Sequence, residues 1–184
     1  MAAQQLAWQE VLTFWFEELE SADWFTKSSA LDEDIRRRFS ALHQQAVTGD
    51  LDAWIEDDQG ALALVIVLDQ FSRNMYRDTP QAFSADAKAL QIAQAVVKRG
   101  GDGSLGEAQR AFLYMPYMHS EDRQVHRQAV ELYTDLGNAT NLDYELRHQR
   151  IIDRFGRYPH RNHILGREST DEEKEFLLTP GSSF

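Results

Sequence analysis

Cysteine is absent from this chain of 184 residues. Disulfides, thiolate chemistry and zinc sites built on sulfur are therefore excluded. Basic charge is in short supply. Nineteen Lys and Arg stand against thirty Asp and Glu, a formal charge of −11, and such a field repels nucleic acid and anionic membrane surfaces. Long apolar runs are missing too. The longest, "ALALVIVL" at 61–68, falls far short of the roughly 20 residues that span a bilayer. The opening MAAQQLAWQE has neither the basic nor the apolar region of a secretory signal. These absences point to a soluble, cytoplasmic protein with no nucleic-acid or membrane partner. No H-E-x-x-H pattern, Gly-rich phosphate loop or nucleophile elbow occurs, so no metal and no cofactor is expected.

What is present is enough to fold. Apolar residues make up 42% and aromatics 11%, including four Trp and ten Phe, a composition that supports one domain over 1–184 with its own core. Helical periodicity dominates. Trp8, Val11, Leu12, Trp15, Phe16 and Leu19 form one stripe, with spacings of three and four. Similar stripes run through 30–48, 84–98, 121–136 and 141–155, and Gly49, Gly100, Gly137 and Gly156 follow them as natural stops. "SLGE" (Ser104, Glu107) and "TDEE" (Thr170, Glu173) fit capping boxes, and Ser84 and Ser120 are further N-cap candidates. Pro116 predicts a kink that places Tyr117, Met118 and His119 at a bend. The run 61–68 is β-branched enough for a strand, but no second strand offers itself, so a helix buried on all sides is expected. Seven to nine helices result, all-α, with 179–184 a flexible tail. Ser84 and Ser120 lie 36 residues apart, a spacing in the range of tetratricopeptide-type helical hairpins.

Polar side chains gather in three stretches. In "LDQFSRNMYRD" (68–78), Asp69, Arg73 and Arg77 share one helix face. An Asp69–Arg73 pair closing a core helix is one reading; Arg73, Asn74 and Arg77 facing a cavity is the other. In "MHSED" (118–122), His119, Glu121 and Asp122 either cap a helix or form a hard-metal or acid–base cluster, although their spacing matches no recognised metal motif. In "RFGRYPHRNHILGR" (154–167), four arginines and two histidines occur with no acid. Arg157, His160, Arg161 and Asn162 suit carboxylate or phosphate, unless acids such as Asp153 or those of "DEEKE" absorb them.

The same stretches carry a resemblance. "LDQFSRNMYRDTPQAFSADAKAL", "FLYMPYMHSED" and "RFGRYPHRNHILGRESTDEEKEFL" resemble the signature blocks of a widespread bacterial family of uncharacterised proteins. The likeness runs from Trp8 to Leu177. It implies an all-helical, tetratricopeptide-like superhelix of stacked antiparallel hairpins and no particular activity. Ser72 stands where the family's text usually has proline.

Three functions remain in play. A binding module would hold an anionic small molecule or acidic peptide in a groove lined by Asp69, Arg73, Asn74, Arg77, His119, Arg157, His160, Arg161 and Asn162. A metal-independent enzyme would use His119, Glu121 and His160 as acid–base groups with arginine clamps. A structural protein would spend the arginines on internal salt bridges. Charges at the edge of a core need partners or a wet cleft, so the three stretches are expected to line one shared site.

Overall fold

The computed structural model describes residues 2–184, with side chains from residue 7 onward. Every regular element among the described residues is helical. In chain order these are α1 (Ala2–Thr13), α2 (Ser29–Thr48), α3 (Asp58–Val65), α4 (Ser72–Met75), α5 (Asp86–Lys98), α6 (Glu107–Met118), α7 (Arg123–Leu136), α8 (Ala139–Phe155) and α9 (Asp171–Leu177). A π-helical turn, Phe14–Glu18, extends α1, and another, Ile66–Phe71, joins α3 to α4 in one continuous helix. The all-α expectation holds, and the run 61–68 is helix rather than strand.

Local chemistry sets the boundaries. Thr170 and Glu173 form the expected capping box of α9. Gly49, Gly137 and Gly156 end α2, α7 and α8 with positive φ angles of 94°, 80° and 70°, a conformation open to glycine at no steric cost. Other caps differ from expectation. Asp122, not Ser120, caps α7, accepting the Gln124 and Val125 N–H groups at 2.6 and 3.2 Å. Ala85, not Ser84, precedes α5. Ser104 caps nothing, because its hydroxyl is drawn to the Gly101 carbonyl and Asp58. α6 runs through Pro116 and ends two residues later. A proline that close to a helix end disturbs little beyond the last turn.

The chain's contacts group into two compact units. The first comprises Met1–Arg77 and Gln81–Pro116. At its centre lies α3 with the π turn, packed by α1, α2 and α5. Leu62, Leu64, Ile66, Val67 and Leu68 are wholly buried. Aromatic rings close around them, with Phe14, Phe39 and Phe71 meeting at 4.8–5.9 Å. Gly60 is required by crowding: a methyl group there would sit 2.6 Å from the Trp54 carbonyl oxygen.

The second unit comprises Asp78–Pro80 and Tyr117–Phe184. α7 packs along α8. Ile151, Ile152 and Tyr158 form its core, with Phe155 and Phe176 against them. In the segment expected to be a flexible tail, Ser182 is buried and Phe184 lies against His148, while the other residues of 179–184 are exposed. A terminal aromatic found rings to cover, which a count of small and polar residues at 179–183 does not anticipate.

Candidate functional site

The first polar stretch is satisfied inside the first unit. Asp69, wholly buried, pairs with Arg73 at 3.1 Å and accepts from the Gln70 amide at 2.6 Å. Arg73 also makes a two-pronged contact with Asp86, at 2.9 and 3.0 Å. Arg77 grips Asp32 with two 2.7 Å bonds, and the Asn74 amide adds a third to the same carboxylate. Burial opposes the charge on Asp32, but Arg77 and Asn74 outweigh it and hold this carboxyl below the usual range. Asp32→Ala is expected to cost about 2 kcal/mol, because it strips partners from Asn74 and Arg77 together. Urea denaturation of the variant measures it, and a loss under about 0.5 kcal/mol contradicts it.

Ser72 lies in this stretch, wholly buried. Its hydroxyl donates to the Leu68 carbonyl at 2.6 Å, and His43 Nε2 lies 2.8 Å from the same oxygen. The hydroxyl's one proton is spent on Leu68, so His43 Nε2–H is the donor. Burial lowers the His43 pKa, which keeps the ring neutral.

The second and third stretches come together in the second unit, around Tyr158. Its ring is wholly buried. Its hydroxyl donates to the Met118 carbonyl at 2.5 Å, and its backbone N–H donates to Glu121 at 2.8 Å. Arg167 clamps Glu121 with bonds of 2.7 and 2.9 Å. Burial works against the Glu121 charge, but Arg167, the Tyr158 N–H and the nearby Arg161 prevail and lower its pKa. Arg161 is buried, with its guanidinium 4.6 Å from the Tyr158 ring centre. His160 packs on the same ring at 5.6 Å. Burial, then the Arg161 charge, lowers its pKa to about 4, so the imidazole is neutral at pH 7. His119 stands near enough to His148 and His160 to disfavour charge on both.

Arg157 has a different post. It holds Glu173 with bonds of 2.7 and 2.8 Å, and Asn162 reaches the same carboxylate at 3.3 Å. The Arg157 bonds, helped by the Thr170 N–H, bring the Glu173 pKa down to about 2. Arg157 and Asn162 thereby tie the loop to the first turn of α9.

Residues 11–181 match the bacterial family of proteins of unknown function designated DUF924. The chain belongs to this family. A solved structure of a protein of unknown function from Agrobacterium tumefaciens is similar throughout: 35% identity, a TM-score of 0.91, and coverage of 95% of this chain and 98% of that one. Among curated proteins no sequence match is found. The DUF924 description names no reaction, so the chemistry of the site rests on its geometry.

That geometry includes groups the sequence did not flag. His126 and Glu145, both wholly buried, meet at 2.7 Å through Nδ1 and Oε1. His126 Nε2 lies 2.8 Å from the Ser120 carbonyl, which only accepts, so this nitrogen carries a proton. A single further proton lies between Nδ1 and Glu145. Burial raises the Glu145 pKa against the pull of His126. His148 donates Nδ1–H to the Tyr144 carbonyl at 2.7 Å, and burial lowers its pKa to about 3. A signal existed: Glu145, His148, Ile151 and Ile152 are spaced as one buried stripe of α8, and polar residues on an apolar stripe mark a packed polar network.

Several buried polar atoms of this unit have no protein partner: Glu145 Oε2, His160 Nδ1, Asn162 Oδ1 and Arg167 Nε. Among the described residues no three His, Asp or Glu gather as metal ligands, and no helix is long and apolar enough to cross a membrane.

Proposed function

We propose that the second unit is a binding module for a small anion or an acidic group, held beside Tyr158 by Arg161 and His160. One observation carries the reading. Two guanidinium groups, Arg161 and Arg167, gather at Glu121 beside Tyr158, while His160 Nδ1 and Arg167 Nε are buried without protein partners. Arg161 is buried against the Tyr158 ring with His160 on the same ring, and a guanidinium presents a fork of donors suited to an anion. Buried polar atoms without protein partners are where water or a ligand sits. Binding is favoured over acid–base catalysis because Arg167 and the Tyr158 N–H engage both oxygens of Glu121, leaving it poorly placed to move a proton. His119 stands close enough to His148 and His160 to be felt electrostatically; Asp69, Arg73, Asn74 and Arg77 are engaged by carboxylates or amides of the first unit.

Sulfate titration followed by melting temperature tests this. Sulfate stabilises the wild type, and Arg161→Gln loses most of that gain, because a charge-assisted bond is worth about 1.5–3 kcal/mol. Arg157→Gln is the control: it lowers the starting melting temperature and keeps the sulfate shift. Equal shifts in the wild type and Arg161→Gln defeat the reading.

A further inference from the structure

Three rings of the second unit form a cup. Tyr158 is wholly buried, His148 is 4% exposed, and His160 is half-buried. Phe184 occupies it. Its ring centre lies 3.7 Å from that of His148, 4.8 Å from His160 and 5.4 Å from Tyr158. The contacts with Tyr158 and His160 are edge-on, at 88° and 76°, the geometry aromatic pairs prefer. Both imidazoles are neutral at pH 7, so they present flat, weakly polar faces.

Phe184 fills the cup without sealing it. The residue as a whole stays 55% exposed, and it is carried on the 178–184 segment that follows α9, where Leu178 is 88% exposed. The Ser182 hydroxyl tethers that segment to the Leu177 carbonyl at 3.2 Å. A ring seated on three others, on a residue that remains exposed at the end of a largely exposed segment, is a group that can be exchanged for another of the same shape. The Arg161 guanidinium meets the same Tyr158 ring from 4.6 Å, so no more than about 10 Å separates it from the Phe184 ring centre.

We propose that this cup is the aromatic subsite of the anion site, that its ligand is an aryl-alkyl carboxylate, and that Phe184 is a built-in plug the ligand's ring displaces. The inference rests on the anion-binding reading for the carboxylate and on the cup alone for the ring. A phenyl group takes the place of Phe184, and a short chain carries the carboxylate to Arg161. A plug that is seated most of the time lowers apparent affinity by the fraction of molecules left open. Removing it therefore tightens binding of the aromatic ligand and leaves a ring-free anion unaffected.

The experiment is calorimetric titration of the full chain with 3-phenylpropionate, sulfate and benzyl alcohol. Phe184→Ala is expected to bind 3-phenylpropionate about tenfold more tightly than the wild type, with sulfate unchanged. Phe184→Leu, which keeps an apolar but non-aromatic plug, falls between them. Equal 3-phenylpropionate affinity in the wild type and Phe184→Ala overturns the plug. A matching gain for sulfate overturns the aromatic subsite, since it makes Phe184 a mere cover. If no variant binds sulfate while Phe184→Ala gains affinity for benzyl alcohol, the cup stands, and the anion reading and the carboxylate assignment both fail.

Discussion

Moving the protein from pH 7 to pH 5 is expected to lower its unfolding free energy by on the order of 3 kcal/mol, mostly through His148 and His160. Burial depresses both groups, from an ordinary 6.5 to about 3 and about 4. A depressed pKa contributes stability that is fully present above the unfolded value and is lost as the pH falls towards the folded one. The loss therefore begins near pH 6.5 and continues to about pH 3 to 4. Buried His43 in the first unit works in the same direction. Glu121 and Glu173, also depressed, begin to matter only below about pH 4.5, so the interval from 6.5 to 5 isolates the imidazoles. Glu145 opposes them. Its raised pKa gives stability that is present at low pH and lost as the pH rises through the folded value, which trims the slope. Urea titrations at pH 7, 6 and 5 measure the effect. His148→Phe, which keeps a ring in the cup and removes the proton site, should flatten the slope by about half. Unchanged stability between pH 7 and 5 would falsify the assignment of these imidazoles as buried and neutral.

Much of the fold was legible because local rules acted without competition. The stripes of α2, α5, α7 and α8 and the glycines that end them follow from a 3.6-residue period and from the freedom of glycine at positive φ. Caps went astray where a tertiary partner outbid the backbone, as at Ser104, whose hydroxyl goes to Asp58 and Gly101. The site was legible in part. An arginine-rich loop announces that carboxylates or anions are near, but not which. Arg157 and Arg161 lie four residues apart in a loop, yet one is bound to Glu173 and the other lies over Tyr158. Composition treats them alike; the position of α9 separates them. His126, Glu145 and His148 were hidden because their sequence neighbours, as in "DYELRHQR", are mostly polar, and only the helical spacing to Ile151 and Ile152 sets the last two apart. Phe184 escaped notice because nothing in 179–184 is periodic, and its contacts are with residues 24 to 36 positions earlier.

Glu145→Ala is expected to be the most damaging single substitution in the second unit, at about 3–5 kcal/mol, with Glu145→Gln costing under about 1.5 kcal/mol. Glu145 and His126 are each wholly buried, and the 2.7 Å bond between them is the link from α8 to α7 at that level. Its second oxygen has no protein partner, so the carboxylate's desolvation is only partly repaid and the pair adds little net stability as it stands. Breaking it is another matter. Alanine leaves His126 Nδ1 buried with nothing to bond, and it opens a cavity beside that imidazole. His126 cannot simply release that proton and turn, because Nε2 is committed to the Ser120 carbonyl at 2.8 Å and the Tyr158 hydroxyl lies 3.2 Å away. Glutamine restores the contact in neutral form: its amide donates to Nδ1, while Nε2–H still serves Ser120. It also removes the one group here whose burden grows with rising pH, so its stability relative to the wild type should improve from pH 5 to pH 7. Chemical denaturation of the two variants across that range gives both numbers. Equal losses for Ala and Gln would mean that the volume of the side chain matters and the shared proton does not.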